Sequence, residues 1–193
     1  MQRRLAIPIA ITALAIVSGW VLFVGLPRWY APKPTAPVAA APPPVSAERK
    51  ITATLYYVSD DGSELIGVQR EVPFGEPVLE QARRIIEAQI APAAQPLASA
   101  VPEGTTLRSL YLTDKGEAFV DMSVEMRTKH PGGGLDELLT VYTIVNVLTV
   151  NLPAIQRVQI LIDGREADTL AGHVELRHPL QKQLKWVKVD KES

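Results

Sequence analysis

Cysteine is absent from all 193 residues of the sequence. This absence excludes a disulfide framework and any metal or redox site built on thiolates. It also excludes a lipid anchor attached to a cysteine of this chain. The fold must therefore depend on a noncovalent core, for which an apolar fraction of 47% is sufficient in one domain of roughly 130 residues.

Histidine is scarce, and the patterns of common catalytic sites are missing. The three histidines, His130, His173 and His178, do not have the spacing that places two metal ligands on one helix face. No serine lies in a nucleophile-elbow pattern. We therefore expect no metal, no cofactor and no catalytic residue in this protein.

The acidic residues leave one alternative open, the two carboxyl groups that glycan hydrolysis requires. The candidates are Asp121, Glu125, Asp136 and Glu137. Asp136 and Glu137 are adjacent, so their side chains leave a helix in different directions. Acids in the first turn of a helix also stabilise its dipole, which favours a structural role over an acid-base role.

Negative charge is absent from the first part of the chain. All 21 acidic residues lie at or after Glu48, whereas four of the 20 basic residues precede it. The region that follows is therefore acidic on balance, although the formal net charge of the chain is −1. Such a domain lacks the positive field that attracts phosphates, so we expect no nucleic-acid partner.

An uncharged apolar stretch runs from Leu5 to Leu26. It is long enough to cross a hydrocarbon core of about 30 Å. Arg3 and Arg4 precede it, and the positive-inside rule then places the N-terminus in the cytoplasm. We predict one transmembrane helix within residues 1–26, with the rest of the chain in the periplasm or outside the cell. A cleaved signal peptide is the alternative.

Residues 27–47 are rich in proline and alanine and have too little apolar surface for a core. We predict that they form a stiff linker between the membrane helix and the folded domain.

Residues 48–180 are predicted to form a single α+β domain. Within them, residues 132–164 begin with three glycines and continue with apolar residues at a three-four spacing, which favours one long helix. Many threonines, valines and isoleucines between residues 140 and 150 favour a strand instead. Polar residues recur there at every third position, which no strand face explains, so we choose the helix.

The rest of the domain shows turns and a second helical stripe. Hairpins are predicted around Asp60, Asp114 and Asp163, and a helix is predicted to begin near Pro77. The predicted order is hairpin, helix, hairpin, helix, hairpin. It indicates two helices packed on one face of a mixed sheet of five or six strands.

The first hairpin supplies one candidate interaction surface. Thr52, Thr54 and Tyr56 alternate with apolar residues along the first predicted strand. Since alternate side chains of a strand point to opposite faces, we expect these three residues on the face that the helices leave uncovered. Small hydroxyl groups beside one aromatic ring are typical of a transient interface.

The last residues, 181–193, form a basic tail and supply a second candidate. Lys182, Lys185 and Trp186 are the residues that could contact an anionic surface or a partner. A solvated terminus is the alternative.

Three segments carry a family resemblance: LYYVSDDGSELIGVQREVP at residues 55–73, VPEGT at residues 101–105, and VQILIDGREADTLAGHVELRHPL at residues 158–180. With the GGGLDELLTVYTIVNVL segment from residue 132, they resemble the GerM domain, also called GerMN, of bacterial sporulation, spore germination and other cell-envelope proteins. The resemblance implies an α/β domain similar to ring-building modules of secretion and sporulation assemblies. It implies that a lipid or a membrane helix anchors the domain, and it does not imply any catalytic residue.

Together these features predict a membrane-anchored, extracytoplasmic protein-interaction or scaffold module of a cell-envelope or sporulation and germination assembly. We expect envelope proteins or further copies of the chain as partners. The alternatives are a peptidoglycan hydrolase or a regulator of one, and a small-ligand-binding domain. A hydrolase needs a cleft with converging acids, whereas an interaction module needs an exposed apolar face or strand edge.

Overall fold

The computed structural model describes residues 19, 20, 23 and 49–188. The chain divides into two units, Met1–Ser46 and Ala47–Ser193. The predicted transmembrane helix from Leu5 to Leu26 and the linker of residues 27–47 lie outside the described residues, apart from three positions. Among the residues that are described, no helix combines the length and the apolar character that a membrane crossing requires.

The second unit alternates hairpins and helices in the predicted order. Its strands are β1 (Lys50–Val58), β2 (Leu65–Pro73), β3 (Leu107–Leu112), β4 (Glu117–Met122), β5 (Arg157–Ile162), β6 (Arg165–Glu166) and β7 (Leu180–Gln181). Its helices are α1 (Val78–Ile90), α2 (Glu125–Thr128) and α3 (Gly134–Asn151). The short elements α2 and β7 were not predicted.

The long helix predicted after the glycines is confirmed as α3, which has 18 residues. Gly132 and Gly133 precede it with φ values of 91° and 86°, a conformation that glycine adopts without steric cost. Polar as well as apolar side chains of α3 are buried, because other parts of the domain surround the helix on several sides. Because α3 is buried on several sides, its apolar residues are not confined to one face of the helix.

The main sheet has the strand order β3-β4-β5-β6, and β7 also pairs with β5. β4 and β5 are parallel and the other pairs are antiparallel, so the predicted mixed sheet is confirmed. α1 contacts β3, and α3 contacts β5. On one face of the sheet the side chains are buried: Leu110, Ala118, Val120, Met122, Val158, Ile160 and Ile162.

The first hairpin does not join the main sheet. β1 and β2 pair with each other over their whole length, from Lys50 and Pro73 to Val58 and Leu65, and form a separate two-stranded sheet. The main sheet has five strands, within the predicted number, but the expectation that the first hairpin belongs to it is wrong. β1 lies against α3 instead.

Two side-chain amides occupy the outward edge of β1. Gln89 of α1 accepts a hydrogen bond from the Tyr56 N–H at 2.8 Å and donates one to the Tyr56 carbonyl at 2.7 Å. Asn151 at the end of α3 makes the same pair of bonds to Thr54, both at 2.8 Å. A carboxamide has one donor and one acceptor side, as a peptide group has, so the two helices take the place of a neighbouring strand.

Gln89→Ala is expected to reduce the free energy of unfolding by roughly 2–4 kcal/mol, because it leaves the buried main-chain groups of Tyr56 without partners. Urea unfolding of the purified chain, followed by circular dichroism, measures this. Gln156→Ala removes the same atoms from an exposed side chain and is the matched control, with an expected change of about 0.5 kcal/mol or less. Equal effects of the two substitutions would show that the amide does not stabilise β1.

Candidate interaction surface

The three residues predicted on the first strand do not form an exposed surface. Thr52 is exposed and Thr54 is half-buried, but the side chain of Tyr56 is only 3% exposed. Burial also raises the pKa of the Tyr56 hydroxyl above its ordinary value. The placement of Tyr56 on an uncovered face is therefore wrong, because its side chain is buried although Thr52 on the same face of β1 is exposed.

Of the predicted tail residues, Trp186 lies beside the first hairpin, whereas Lys182 follows β7 at the edge of the main sheet. Lys182 and Lys185 are exposed, whereas Trp186 is half-buried and packs against the core. The Trp186 carbonyl accepts a hydrogen bond from the Leu65 N–H at 2.7 Å. The tail is thus ordered at least to residue 188, and it contacts the end of the hairpin opposite to Thr52. The two predicted groups of residues do not come together.

An aromatic patch that sequence reasoning missed lies on the other face of the main sheet. The strand register places Tyr111 of β3 opposite Phe119 of β4, and Phe119 opposite Gln159 of β5. Directly paired residues lie on the same face of a sheet. Tyr111 is 61% exposed and Phe119 is half-buried, so this side of the sheet meets solvent. We name Ser109, Tyr111 and Phe119 the Tyr111 face.

The same face is covered on the side of β5. Gln159 is only 3% exposed, and its amide donates a short hydrogen bond to the carbonyl of Leu176 in the segment after β6. Leu176 is itself 1% exposed. This segment, residues 167–179, therefore covers this face of the sheet at β5. The solvent-exposed part of the face extends only over β3 and β4.

Ion pairs border the Tyr111 face. Arg108 donates to Asp121 at 3.2 Å and makes a second, short ion pair with Asp163 in the turn after β5. The second oxygen of Asp121 accepts the Gly164 N–H at 2.7 Å. Both oxygens of this buried carboxylate are thus engaged in holding β3 and the turn together. An aromatic centre with a charged rim is the usual composition of a protein interface.

Glu137 fastens the covering segment to α3. Its side chain is completely buried in the first turn of the helix. Its two oxygens accept the N–H groups of Leu170, Ala171 and His173 at 2.8–2.9 Å, and the His173 ring nitrogen lies at 3.1 Å. Burial opposes ionisation, but the backbone N–H groups around the carboxylate outweigh it and hold the pKa of Glu137 below its ordinary value.

The remaining candidates for chemistry are held by structural contacts. The Ser123 hydroxyl binds the carboxyl group of Glu125 and lowers its pKa. His130 lies 3.1 Å from the Thr140 hydroxyl, while His178 is exposed. Within the described ranges, no three histidine or acidic residues are grouped as metal ligands would be.

The sequence contains only weak signals for Gln89, Asn151, Glu137 and the Tyr111 face. Gln89 and Asn151 are amides within or at the end of apolar helical stripes, which shows that a polar partner is needed but not which one. Glu137 follows Asp136, and nothing in the sequence distinguishes the buried acid from the exposed one. Tyr111 alternates with leucines, a pattern that fits an exposed strand face without indicating that it stays uncovered.

The chain is similar to a known protein family and to solved structures. Residues 54–168 match a family model described as "Germane: Sporulation and spore germination". No curated protein matches the chain. A solved structure of a Clostridium perfringens protein, named as a candidate lipoprotein, is similar at 25% identity and a TM-score of 0.50, over 69% of this chain and 88% of that one.

A second similar structure contains the tandem GerMN domains of the sporulation protein GerM from Bacillus subtilis. The identity is 19% and the TM-score is 0.51, over 70% of this chain and 46% of that one. At this identity the likeness concerns the fold alone.

Glu137→Gln is expected to lower the free energy of unfolding at pH 7 by about 2–4 kcal/mol, because the carboxylate loses its charge and one acceptor while buried N–H groups remain. The folded-state pKa of Glu137 is lowered from 4.5, so its contribution is complete above that value and is lost as the pH falls through the folded-state pKa. The difference between the wild type and the variant should therefore shrink below pH 4.5.

Urea unfolding at several pH values between 7 and 3 measures this difference. Asp136→Asn changes the neighbouring, exposed acid in the same helical turn and is the matched control. A pH dependence that is the same for both variants would show that the Glu137 contacts do not stabilise the fold.

Proposed function

The chain belongs to the Germane family of sporulation and spore germination domains, and from this membership we propose that its folded unit is an extracytoplasmic protein-interaction module of a cell-envelope assembly. The match covers more than half of the chain and confirms the resemblance to the GerM domain that the sequence predicted. The family and the α+β fold support a role in such an assembly.

A membrane anchor is the first part of the proposal. The similar Clostridium perfringens protein is named as a candidate lipoprotein, which supports attachment of this kind of domain to a membrane. The present chain has no cysteine to carry a lipid. The apolar stretch from Leu5 to Leu26 would supply the anchor instead, as a single transmembrane helix with the domain on the outer side.

The Tyr111 face is the single observation that carries the interaction role. Tyr111 is 61% exposed on β3, which is the edge strand of the main sheet, and it lies beside Phe119. Exposed aromatic side chains on a rigid sheet are suited to anchor a partner, because they bury a large area with little loss of side-chain freedom. We propose that the occupant is an envelope protein with an apolar centre and a charged rim that complements Arg108 and Asp163.

We also propose that no side chain of this domain is catalytic. Two of the four acids that could serve a hydrolase, Asp121 and Glu137, are buried and accept hydrogen bonds from main-chain or arginine donors. The Glu137 carboxylate is a poor proton donor, because the backbone N–H groups around it stabilise its charged form and lower its pKa.

Tyr111→Glu is expected to abolish the partner contact and to leave the thermal melt nearly unchanged, since the side chain is exposed. A photoreactive amino acid at position 111 of the full chain, in cells that produce it, should cross-link one defined protein. The same protein should be lost when the membrane complex of Tyr111→Glu is purified. Val78→Glu adds the same charge to an exposed apolar side chain on α1 and should retain the partner.

Tyr56→Glu tests the corrected assignment of the first strand. This variant should unfold or lose several degrees of Tm, because it places a charge at a buried position.

Retention of the cross-linked partner by Tyr111→Glu would contradict the proposed surface. Digestion of peptidoglycan by the purified chain, abolished by Asp121→Asn, would favour the hydrolase alternative.

The topology has its own test. Alkaline phosphatase is active only outside the cytoplasm, so its fusion after Ser193 should be active in cells. Replacing four apolar residues of the stretch from Leu5 to Leu26 by lysine should abolish this activity, because charged residues prevent membrane insertion. An inactive fusion of the unchanged chain, with a cytoplasmic reporter active at the same site, would contradict the proposed orientation.

A further inference from the structure

The outward edge of β3 adjoins the Tyr111 face. At the end of β3, the Thr113 N–H donates to the Glu117 carbonyl of the neighbouring strand at 3.0 Å. Every second residue of an antiparallel ladder turns its N–H and C=O groups away from the partner strand, so Leu110 and Leu112 direct these groups outward. Within residues 49–188, neither of them has a main-chain partner on that side. The edge of β3 can therefore accept one more strand.

The side chains along this edge are divided between the two faces of the sheet. Tyr111 is 61% exposed on the outer face, and Ser109 and Thr113 flank it at alternate positions. Leu110 and Leu112 lie on the opposite face and pack in the core or against it. A strand that pairs with β3 must therefore match an aromatic residue and hydroxyl groups on one face, and leucines on the other.

The sequence of β3 itself meets this requirement. We propose that the partner is a second copy of this chain, whose β3 pairs antiparallel with the first so that Tyr111 lies opposite Tyr111 of the second copy. The proposal rests on the interaction role of the Tyr111 face and names its partner. A two-fold axis between the two tyrosines makes every contact of one copy recur in the other.

The register brings similar residues together. Leu110 lies opposite Leu112 of the second copy, and Ser109 lies opposite Thr113. The two leucines are the residues with outward main-chain groups, so these groups bond to each other across the axis. Tyr111 forms a pair without mutual hydrogen bonds, in which the Cα atoms are about 4.5 Å apart and side chains are closest.

The ends of the paired strands are complementary in charge. In the same register Arg108 lies opposite Asp114 of the second copy, and both side chains are accessible. Opposite charges at facing positions stabilise a strand pair, and the two-fold axis supplies this contact twice. A register in which Leu110 lies opposite itself would place Arg108 opposite Leu112 and would separate the two tyrosines. Charge complementarity therefore favours the proposed register.

The outward edge of β2 does not have this complementarity. In the described part of the chain, this edge is open at Gly67, Gln69 and Glu71, while the segment ending at Lys188 binds it at Leu65. The open positions are glycine and exposed polar residues, so they offer a second copy no aromatic or apolar contact. Self-pairing is therefore expected at β3.

The pair is expected to form between chains that share a membrane. β3 has only six residues, so two such strands bury a small area, which is typical of a weak contact. Confinement of both copies to one membrane by the proposed anchor raises their effective concentration. The experiment therefore uses the full chain in the membranes of cells that produce it.

Disulfide formation between introduced cysteines reads the pairing directly, because the chain has no cysteine of its own. Tyr111→Cys should form a covalent dimer on mild oxidation, since a Cα separation of about 4.5 Å suits a disulfide. Ser109→Cys and Thr113→Cys should each stay monomeric, because each lies roughly 14 Å from its own counterpart. When differently tagged chains carrying these two substitutions are produced together, they should link to each other.

Asp114→Lys, added to Tyr111→Cys, should lower the yield of the covalent dimer several-fold, because it places a like charge opposite Arg108 at both ends of the pair. Asp60→Lys makes the same change in the exposed turn of the first hairpin and is the matched control. It should leave the yield unchanged. Thermal melts of both variants should stay close to that of the parent chain, since both aspartates are exposed.

A lack of dimer with Tyr111→Cys would overturn the pairing. An equal yield from Thr52→Cys, at an exposed position of β1, would also overturn it, because random collision would then explain the link. If a photoreactive residue at position 111 links a different protein while Tyr111→Cys forms no dimer, the interaction role of the Tyr111 face stands and only the second copy is wrong as its partner. If neither links anything, both proposals are wrong.

Discussion

The domain depends on the satisfaction of the main-chain groups along β1. Two amide side chains, Gln89 from α1 and Asn151 from α3, bind the strand as a neighbouring strand would. The bonds of Gln89 are buried and those of Asn151 are partly buried. In the interior, a missing partner would cost about 1–3 kcal/mol per group. This requirement fixes the hairpin against both long helices and keeps it out of the main sheet.

The position of the hairpin decides which surfaces remain open. Because α1 and α3 lie between the two sheets in contact with both, each helix buries polar as well as apolar side chains. This packing buries one face of the main sheet. On the other face, the segment of residues 167–179, fastened by Glu137, covers β5 and stops short of Tyr111. The open face is therefore a consequence of where that segment ends.

The two open features of the domain differ in kind. The Tyr111 face offers an aromatic side chain with a charged rim, which suits recognition by side chains. The edge of β2 offers main-chain groups beside Gly67 and exposed polar residues, which suits a paired strand and not a flat apolar contact.

The sequence by itself determined the element order, the long helix α3 and the mixed character of the sheet, because these follow from local periodicity and turn residues. It also indicated the family through the segments around Asp60 and Asp163. It indicated the buried face of β1 with Ala53 and Leu55, but not the burial of Tyr56 on the other face. It also did not indicate that helix side chains would bind the edge of β1, because these contacts are long-range: Gln89 lies 33 residues from Tyr56, and Asn151 lies 97 residues from Thr54. The exposure of Tyr111 and the burial of Glu137 were likewise decided by tertiary structure, because both depend on the path of a segment that carries no periodic pattern of its own.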